Sequence, residues 1–261
     1  MRVRTYLVGM LLCVVAFAPD ARSQETAAQA LAPTGRLRVA LQVTNPVVVT
    51  RDRGPIDIYG LGPELGRTLA DRLRVSFQPI RYATVPQLLA AAHSDIWDVT
   101  FLTVDPERAK SVDYTAPFLQ VENSFLISPA SPVTSVRNAD AEGIRIAVIE
   151  GSSNSLLLAR TLKSAQLVRA KDIDTALELL RRGQVDAFGD NRQLGLRVAE
   201  RVPGGRVLEQ RYGVGQYAMA VPKGNVVGLK YLSEFLDREK RSSHVEYTIA
   251  REKLRGVMVI Q

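Results

Sequence analysis

The chain has 261 residues, 46% of them apolar, which is enough to bury a core as one large domain or two smaller ones. The formal charge is +7, from 34 basic and 27 acidic residues. The basic clusters are interleaved with acids, which is typical of solvated helix faces and argues against a nucleic-acid partner. A single cysteine and two histidines exclude a disulfide framework and argue against a zinc site, and we expect no cofactor.

The N-terminus has the layout of a cleavable secretory signal. Arg2 and Arg4 precede an apolar run at residues 7–18, which is too short for a stable membrane span. Ala21 and Ser23 are small residues at the two positions that a signal peptidase recognises before its cleavage site. We therefore predict cleavage after Ser23 and export to the periplasm.

Strands and helices alternate along the next part of the chain. Residues 24–34 are small and polar without periodicity, so we predict a flexible leader there. The predicted elements that follow are a strand at residues 37–43, a helix opening at Gly62–Pro63, a strand at 75–80, a helix after an N-cap at Thr84, and a strand at 97–103. This alternation predicts a parallel sheet with crossover helices.

A second α/β unit begins beyond a Ser/Pro-rich turn at residues 128–135. Its predicted elements are a strand at 144–150, a helix at 153–163, a strand at 166–170, a helix at 174–183 and a strand at 184–190. Extended segments near residues 121–127 and 215–221 bracket this unit, which predicts two lobes joined by two strands. The predicted division is a signal peptide at 1–23, a leader at 24–34, lobe 1 at 35–120 plus 217–261, and lobe 2 at 121–216.

Polar residues follow several of these predicted strands. Arg108 offers a planar fork that matches a carboxylate, and Thr103 adds a hydroxyl at a strand end. A turn containing Ser152 and Ser153 directs N–H groups and hydroxyls at one point, which suits a carboxylate or a phosphate. Asp190 ends a strand of the second unit and is placed to receive an ammonium. Each residue alone has a simpler interpretation, as an exposed arginine, a strand-end residue or a helix cap, but together they lie where α/β sheets bind ligands.

The run DVTFLTVDPERAKSVDYTAPF, residues 98–118, resembles the signature of the family 3 periplasmic solute-binding proteins, the polar amino-acid receptors of ABC transporters. Shorter stretches resemble the same family at residues 35–39, 148–153 and 183–190. The resemblance implies a two-lobed, Venus-flytrap α/β fold, with two parallel-type sheets and crossover helices joined by two hinge strands. It also implies a monomer that captures an amino acid or a similar carboxylate and delivers it to an ABC permease.

The resemblance also implies roles for individual residues. Arg108 would bind the α-carboxylate of the ligand, helped by Thr103 and by the turn of Ser152 and Ser153. Asp190 would receive the α-amino group. These residues do not name the ligand.

Two positions depart from the family pattern. The loop at residues 45–49 has no aromatic residue, although the family usually stacks one on the ligand, so side-chain preference cannot be carried over. Asp105 stands where the family has a threonine. Its charge would either weaken carboxylate binding or merely cap the following helix, and we favour the cap.

Other functions stay open on the sequence alone. A few proteins of this fold are cyclohexadienyl dehydratases that act on prephenate or arogenate, and such an enzyme needs a general acid in the cleft. Glu150 is the candidate acid here, although an exposed strand-end position is the favoured interpretation. A sensor or lytic-transglycosylase module would normally require further domains.

Overall fold

The computed structural model describes residues 21–55 and 57–260. Most of the predicted signal peptide, residues 1–20, therefore lies outside the described residues. Within the described ranges, no helix combines the length and the apolar composition that a membrane span needs.

Helices and strands alternate as the sequence predicts. The helices are α1 Ala21–Leu31, α2 Leu61–Leu73, α3 Val85–Ala90, α4 Ser153–Thr161, α5 Ile173–Arg181, α6 Arg192–Val198, α7 Val226–Arg241 and α8 His244–Arg251. The strands are β1 Arg36–Gln42, β2 Arg51–Asp52, β3 Ile58–Tyr59, β4 Ser76–Tyr82, β5 Val99–Thr103, β6 Val112–Tyr114, β7 Leu119–Ile127, β8 Arg145–Ile149, β9 Gln166–Ala170, β10 Ala187–Asn191, β11 Arg206–Val207, β12 Gly213–Pro222 and β13 Val257–Val259.

The main strands follow the spatial order β4-β1-β5-β12-β7-β10-β8-β9. The pairs β4–β1 and β1–β5 are parallel at one end of this order, and β10–β8 and β8–β9 are parallel at the other. The central strands β12 and β7 run antiparallel to each other and to their outer neighbours. The two parallel groups are thus joined through β7 and β12, which confirms the predicted two-lobed α/β fold.

Separate hydrophobic cores support the two ends of this sheet. The stripe predicted for α2, formed by Leu61, Leu65, Leu69 and Leu73, is buried in the core beside β1 and β5. Other apolar clusters surround β8 and β10. Because each buried leucine contributes about 1.5 to 3 kcal/mol, each lobe has its own source of stability.

Helix α1 corrects the prediction of a flexible leader at residues 24–34. Ala27 and Leu31 are buried in the same core as α2, and Asn225 Nδ2 donates a hydrogen bond of 2.8 Å to Ala30 O. Ala and Leu spaced four residues apart form one apolar helix face, a signal that the small, polar composition obscured. The predicted cleavage position after Ser23 lies within this helix.

Candidate functional site

A cavity lies between the two parallel groups of strands, at their carboxyl ends. The last residues of β1, β5, β8 and β10 all line it, namely Gln42, Thr103, Ile149 and Asn191. All five residues predicted from the sequence line this same cavity, namely Thr103, Arg108, Ser152, Ser153 and Asp190. Carboxyl ends of parallel strands are the usual ligand site in α/β sheets, so the arrangement defines one candidate binding site.

Arg108 follows β5 in a short 3-10 turn and is only 4% exposed. Its Nη1 donates to Thr103 O at 3.2 Å and its Nη2 donates to Gly151 O at 3.3 Å. Burial lowers the pKa of this guanidinium. Neither acceptor is an anion, although the carboxylate of Asp105 acts on the guanidinium from farther away, and a buried cation without a directly bonded anion is costly. The surroundings therefore favour an anionic ligand at the remaining N–H groups.

Thr103 is fixed between neighbouring aromatic hydroxyl groups. The carbonyl of Thr103 also accepts a hydrogen bond of 3.3 Å from Tyr114 Oη. In the sheet, Thr103 of β5 lies opposite Tyr217 of β12. Tyr217 Oη accepts a hydrogen bond of 2.9 Å from Asn45 Nδ2, and burial raises the pKa of the tyrosine. These contacts orient the end of β5 toward the cavity.

Ser152 and Ser153 begin α4 on the other side of the cavity. The Ser152 side chain accepts a hydrogen bond of 3.0 Å from Ser155 N, and it is the N-cap of the helix. Gly151 precedes them with φ of 69°, a left-handed conformation that favours glycine. The Ser152 hydroxyl thus serves the helix, and the N–H groups of the first turn are the donors best placed for an anion.

Asp190 lies in β10 and is buried. Its Oδ1 accepts hydrogen bonds from Asn191 N at 2.7 Å, from Asn191 Nδ2 at 2.9 Å and from Asn154 Nδ2 at 3.3 Å. Burial nevertheless raises the pKa of this carboxyl to about 7. All three bonds go to Oδ1, so Oδ2 is the oxygen left for a cationic ligand.

Asn154 lines the cavity and Tyr212 contacts it; the sequence analysis identified neither residue. Tyr212 Oη donates to Asn154 Oδ1 at 2.7 Å, which turns the amide N–H of Asn154 toward Asp190. Asn154 comes directly after the Gly-Ser-Ser turn, so its place at the start of α4 was a usable signal. Tyr212 offered no such signal, because its contact depends on a residue 58 positions away in the chain.

Asp105 has both a local and a long-range partner. Its Oδ1 accepts a hydrogen bond of 2.9 Å from Glu107 N, which agrees with the favoured cap. Its Oδ2 also pairs with Arg160 Nη2 of α4 at 3.0 Å. The pair crosses the cleft, so the charge of Asp105 is neutralised by the opposite lobe.

Glu150 lines the cavity from an exposed position at the end of β8. Its backbone N donates to Ala170 O at 2.8 Å, which continues the pairing of β8 with β9. The exposed side chain agrees with the favoured interpretation of Glu150 as a strand-end residue.

Comparisons with known proteins agree with this architecture. The family of bacterial extracellular solute-binding proteins, family 3, matches residues 37–250. The "ABC transporter glutamine-binding protein GlnH" of Bacillus subtilis (strain 168) is 23% identical over 172 residues, which is 66% of this chain and 62% of that protein. The "Glutamine-binding protein" of Geobacillus stearothermophilus is 23% identical over 122 residues, 47% of this chain and 46% of that protein. The chain thus matches less than two thirds of the length of either relative.

Solved structures share the fold at low sequence identity. A mutant of ArgBP from T. maritima has a TM-score of 0.73 at 20% identity, covering 87% of this chain and 99% of its own. A solute receptor for L-cysteine of Neisseria gonorrhoeae has a TM-score of 0.75 at 19% identity, covering 89% and 94%. The ancestral amino acid-binding protein AncCDT-1, a precursor of cyclohexadienyl dehydratase, has a TM-score of 0.73 at 19% identity, covering 87% and 98%.

Proposed function

Because the chain belongs to the bacterial extracellular solute-binding proteins of family 3, we propose that it captures one amino acid, or a similar small carboxylate, between its two lobes and delivers it to an ABC permease. The observation that carries this proposal is a buried arginine and a buried aspartate lining one cavity from opposite lobes. The matched family and the curated relatives are solute-binding proteins rather than enzymes.

The charges of the cavity suit a zwitterion. Arg108, which follows β5, would bind the α-carboxylate with the hydroxyl of Thr103 and the N–H groups around Ser153 as further donors. Asp190, in β10, would accept the α-ammonium through Oδ2. An amino acid carries both charges one carbon apart, so one molecule neutralises both buried groups.

The proposed division of the chain follows its two crossing strands. We assign residues 35–120 plus 217–261 to lobe 1 and residues 121–216 to lobe 2, with β7 and β12 as the hinge. Helix α1 joins lobe 1, because it packs on that core. The N-terminal signal would bring the protein to the periplasm, where it would act as a monomer.

Thermal denaturation with individual amino acids tests the proposal. The protein is first unfolded and refolded, so that ligand retained from the expression host is removed. At a ligand concentration of 100 times Kd, binding adds about 2.7 kcal/mol, which raises Tm by roughly 5 to 10 °C. A panel of the twenty amino acids without any stabilising member would contradict the proposed function.

Arg108→Ala tests the carboxylate contact. Losing a charge-assisted partner in a buried site costs about 2 to 5 kcal/mol, so Kd should rise from roughly thirty-fold to several thousand-fold. Arg181→Ala is the matched control, because Arg181 pairs with Glu178 on the surface of α5 and should leave Kd unchanged. Titration calorimetry measures both variants. An Arg108→Ala protein within about three-fold of wild-type affinity would refute the assigned role.

A further inference from the structure

The lining of the cavity carries more negative than positive charge. Its charged residues, within the described part of the chain, are Arg108, Glu150 and Asp190. An amino acid bound as proposed would pair its carboxylate with Arg108 and its ammonium with Asp190, and the carboxylate of Glu150 would remain. A further positive charge on the ligand would therefore make the occupied cavity neutral, whereas a neutral side chain would leave a negative charge unmatched.

The carboxylate of Glu150 is free to take such a charge. Glu150 follows β8 directly and lines the cavity from lobe 2 with an exposed side chain. Within the described ranges, this carboxylate takes part in no hydrogen bond and no ion pair. The carboxylate that raises the pKa of Arg108 is that of Asp105, so Glu150 is not the partner of the arginine. Its charge is left for a ligand.

Gln42 offers a second free acceptor from lobe 1. It ends β1 and lines the cavity. Its Nε2 donates a hydrogen bond of 3.2 Å to Thr44 Oγ1, and that hydroxyl donates its single proton to Ala83 O at 2.8 Å. The hydroxyl can therefore only accept from Gln42, which fixes the amide nitrogen toward Thr44 and leaves Oε1 as an unused acceptor. A ligand side chain with hydrogen-bond donors suits this oxygen.

The two acceptors belong to the same part of the cavity. The segment that Thr44 contacts, residues 83–86, contributes two residues to the lining. Its last residue, Pro86, lies so close to Gly151 that a Cβ atom built on the glycine would be 2.5 Å from the proline Cγ. Gly151 follows Glu150 directly in the chain. The amide of lobe 1 and the carboxylate of lobe 2 are therefore brought together across the cleft.

This part of the cavity also suits the apolar stem of a long side chain. Val85 and Ile149 line the cavity and adjoin Thr84 and Glu150 in the chain. Lysine and arginine side chains place their methylene groups on apolar surface of this kind while the charged head reaches polar groups. The cavity has about 560 Å³ of empty space, the adjoining solvent included, which is within the range of small-molecule sites. This volume sets no limit that excludes either side chain.

We propose that the ligand is an amino acid whose side chain is positively charged at neutral pH, and that Glu150 is the residue that selects for this charge. This inference rests on the proposed function, because it uses the same cavity and assigns Arg108 and Asp190 to the ligand backbone. It adds a third contact, in which Glu150 and Gln42 Oε1 accept hydrogen bonds from the guanidinium or ammonium group of the side chain.

Titration calorimetry on the refolded protein compares two pairs of ligands. Arginine and citrulline have nearly the same shape, but the guanidinium of arginine is charged and the urea group of citrulline is not. Lysine and methionine are the second pair, because methionine is an uncharged chain of similar length. In at least one pair the cation should bind at least about five-fold more tightly, since an ion pair adds to a charge-assisted hydrogen bond.

The twenty amino acids, measured in the same way, separate the inference from the proposed function. Arginine or lysine should be the tightest ligand. Tightest binding of any other amino acid would overturn the inference and leave the proposed function standing. Binding of none of the twenty would overturn both.

Two glutamate variants test the role of Glu150. Glu150→Gln should lower the preference for the cation, measured as the ratio of Kd values within the pair, by about three- to ten-fold, because it removes the charge and keeps the shape. Glu142→Gln is the matched control, since Glu142 is an exposed acid of lobe 2 outside the described lining, and it should keep the wild-type ratio. Thermal unfolding without ligand checks that both variants fold. An unchanged ratio in Glu150→Gln, or an equal fall in both variants, would overturn the inference.

Discussion

Replacing Gly151 by alanine should prevent full closure of the lobes. Gly151 has φ of 69°, and a Cβ atom built on it would lie 2.5 Å from Cγ of Pro86, which belongs to α3 on the other side of the cleft. Gly183 is a matched control, because its φ is 65° and a Cβ there would meet nothing within 4 Å. Both substitutions impose left-handed backbone on an alanine, but only Gly151→Ala adds a clash across the cleft.

The size of the effect follows from this geometry. Non-bonded carbons normally lie about 3.5 to 4.0 Å apart, so the lobes would have to separate by roughly 1 Å at this point. The Arg108 to Gly151 bond, already 3.3 Å long, would then be lost. Backbone strain costs about 1 to 2 kcal/mol in both variants. Incomplete closure should cost binding a further amount of about 1.5 to 3 kcal/mol, roughly ten-fold to a hundred-fold in Kd.

Two measurements separate these contributions. Urea unfolding without ligand should show a similar loss of stability in Gly151→Ala and Gly183→Ala, because the strain is the same. Calorimetric titration with the tightest amino acid should show weaker binding for Gly151→Ala alone. If the two variants bound within about three-fold of each other, the clash with Pro86 would not oppose closure and the reasoning would be wrong.

Two further predictions concern charged groups of the cleft. Burial raises the pKa of the Asp190 carboxyl to about 7, and the carboxyl must lose its proton to accept an ammonium, so below pH 7 the Kd should rise by about ten-fold per pH unit. Asp190→Asn should bind weakly and without this pH dependence. A wild-type Kd that does not change with pH would contradict the prediction. Arg160→Gln should speed ligand release about three- to ten-fold in stopped-flow experiments, because it removes the cross-cleft partner of buried Asp105; the effect is modest because Arg160 is half exposed. The control Lys110→Gln breaks an exposed pair with Glu107 and should leave the release rate unchanged. Equal release rates in the two variants would show that the Arg160–Asp105 pair does not hold the lobes together.

Local patterns were sufficient to predict most of the fold. The leucines of α2 recur every four residues because one face of the helix is buried. The strands β1 and β5 carry apolar residues because one or both of their faces are buried. In each case the sequence pattern follows the geometry of the element. Thr84 was expected to cap α3, and its side chain does accept from Gln87 N. The candidate site was indicated by a related signal. Arg108 comes shortly after a predicted strand and Asp190 lies within one, and the carboxyl ends of such strands meet in an α/β sheet.

Features that depend on how the two lobes meet could not be predicted. The partners Asp105 and Arg160 are 55 residues apart in the chain, and no local signal joins them. The same applies to the close approach of Gly151 to Pro86, which arises only when the cleft is closed. Helix α1 was missed for a different reason. Its apolar face consists largely of small residues, which give little periodic signal in the sequence, and the face is buried by packing against α7, which lies far away in the chain.

The placement of Arg108 and Asp190 on opposite lobes suggests how binding and closure are coupled. Each group is buried, and its hydrogen-bond partners within the described part of the chain are uncharged. A buried unpaired charge is costly, so closing the lobes over both groups is unfavourable on its own. Under the proposed function, a zwitterion would supply one countercharge to each lobe, and it could do so fully only when both lobes reach it. Its binding free energy therefore favours the closed arrangement specifically, whereas a ligand that carries only one charge would leave one lobe unpaired and close the protein less completely.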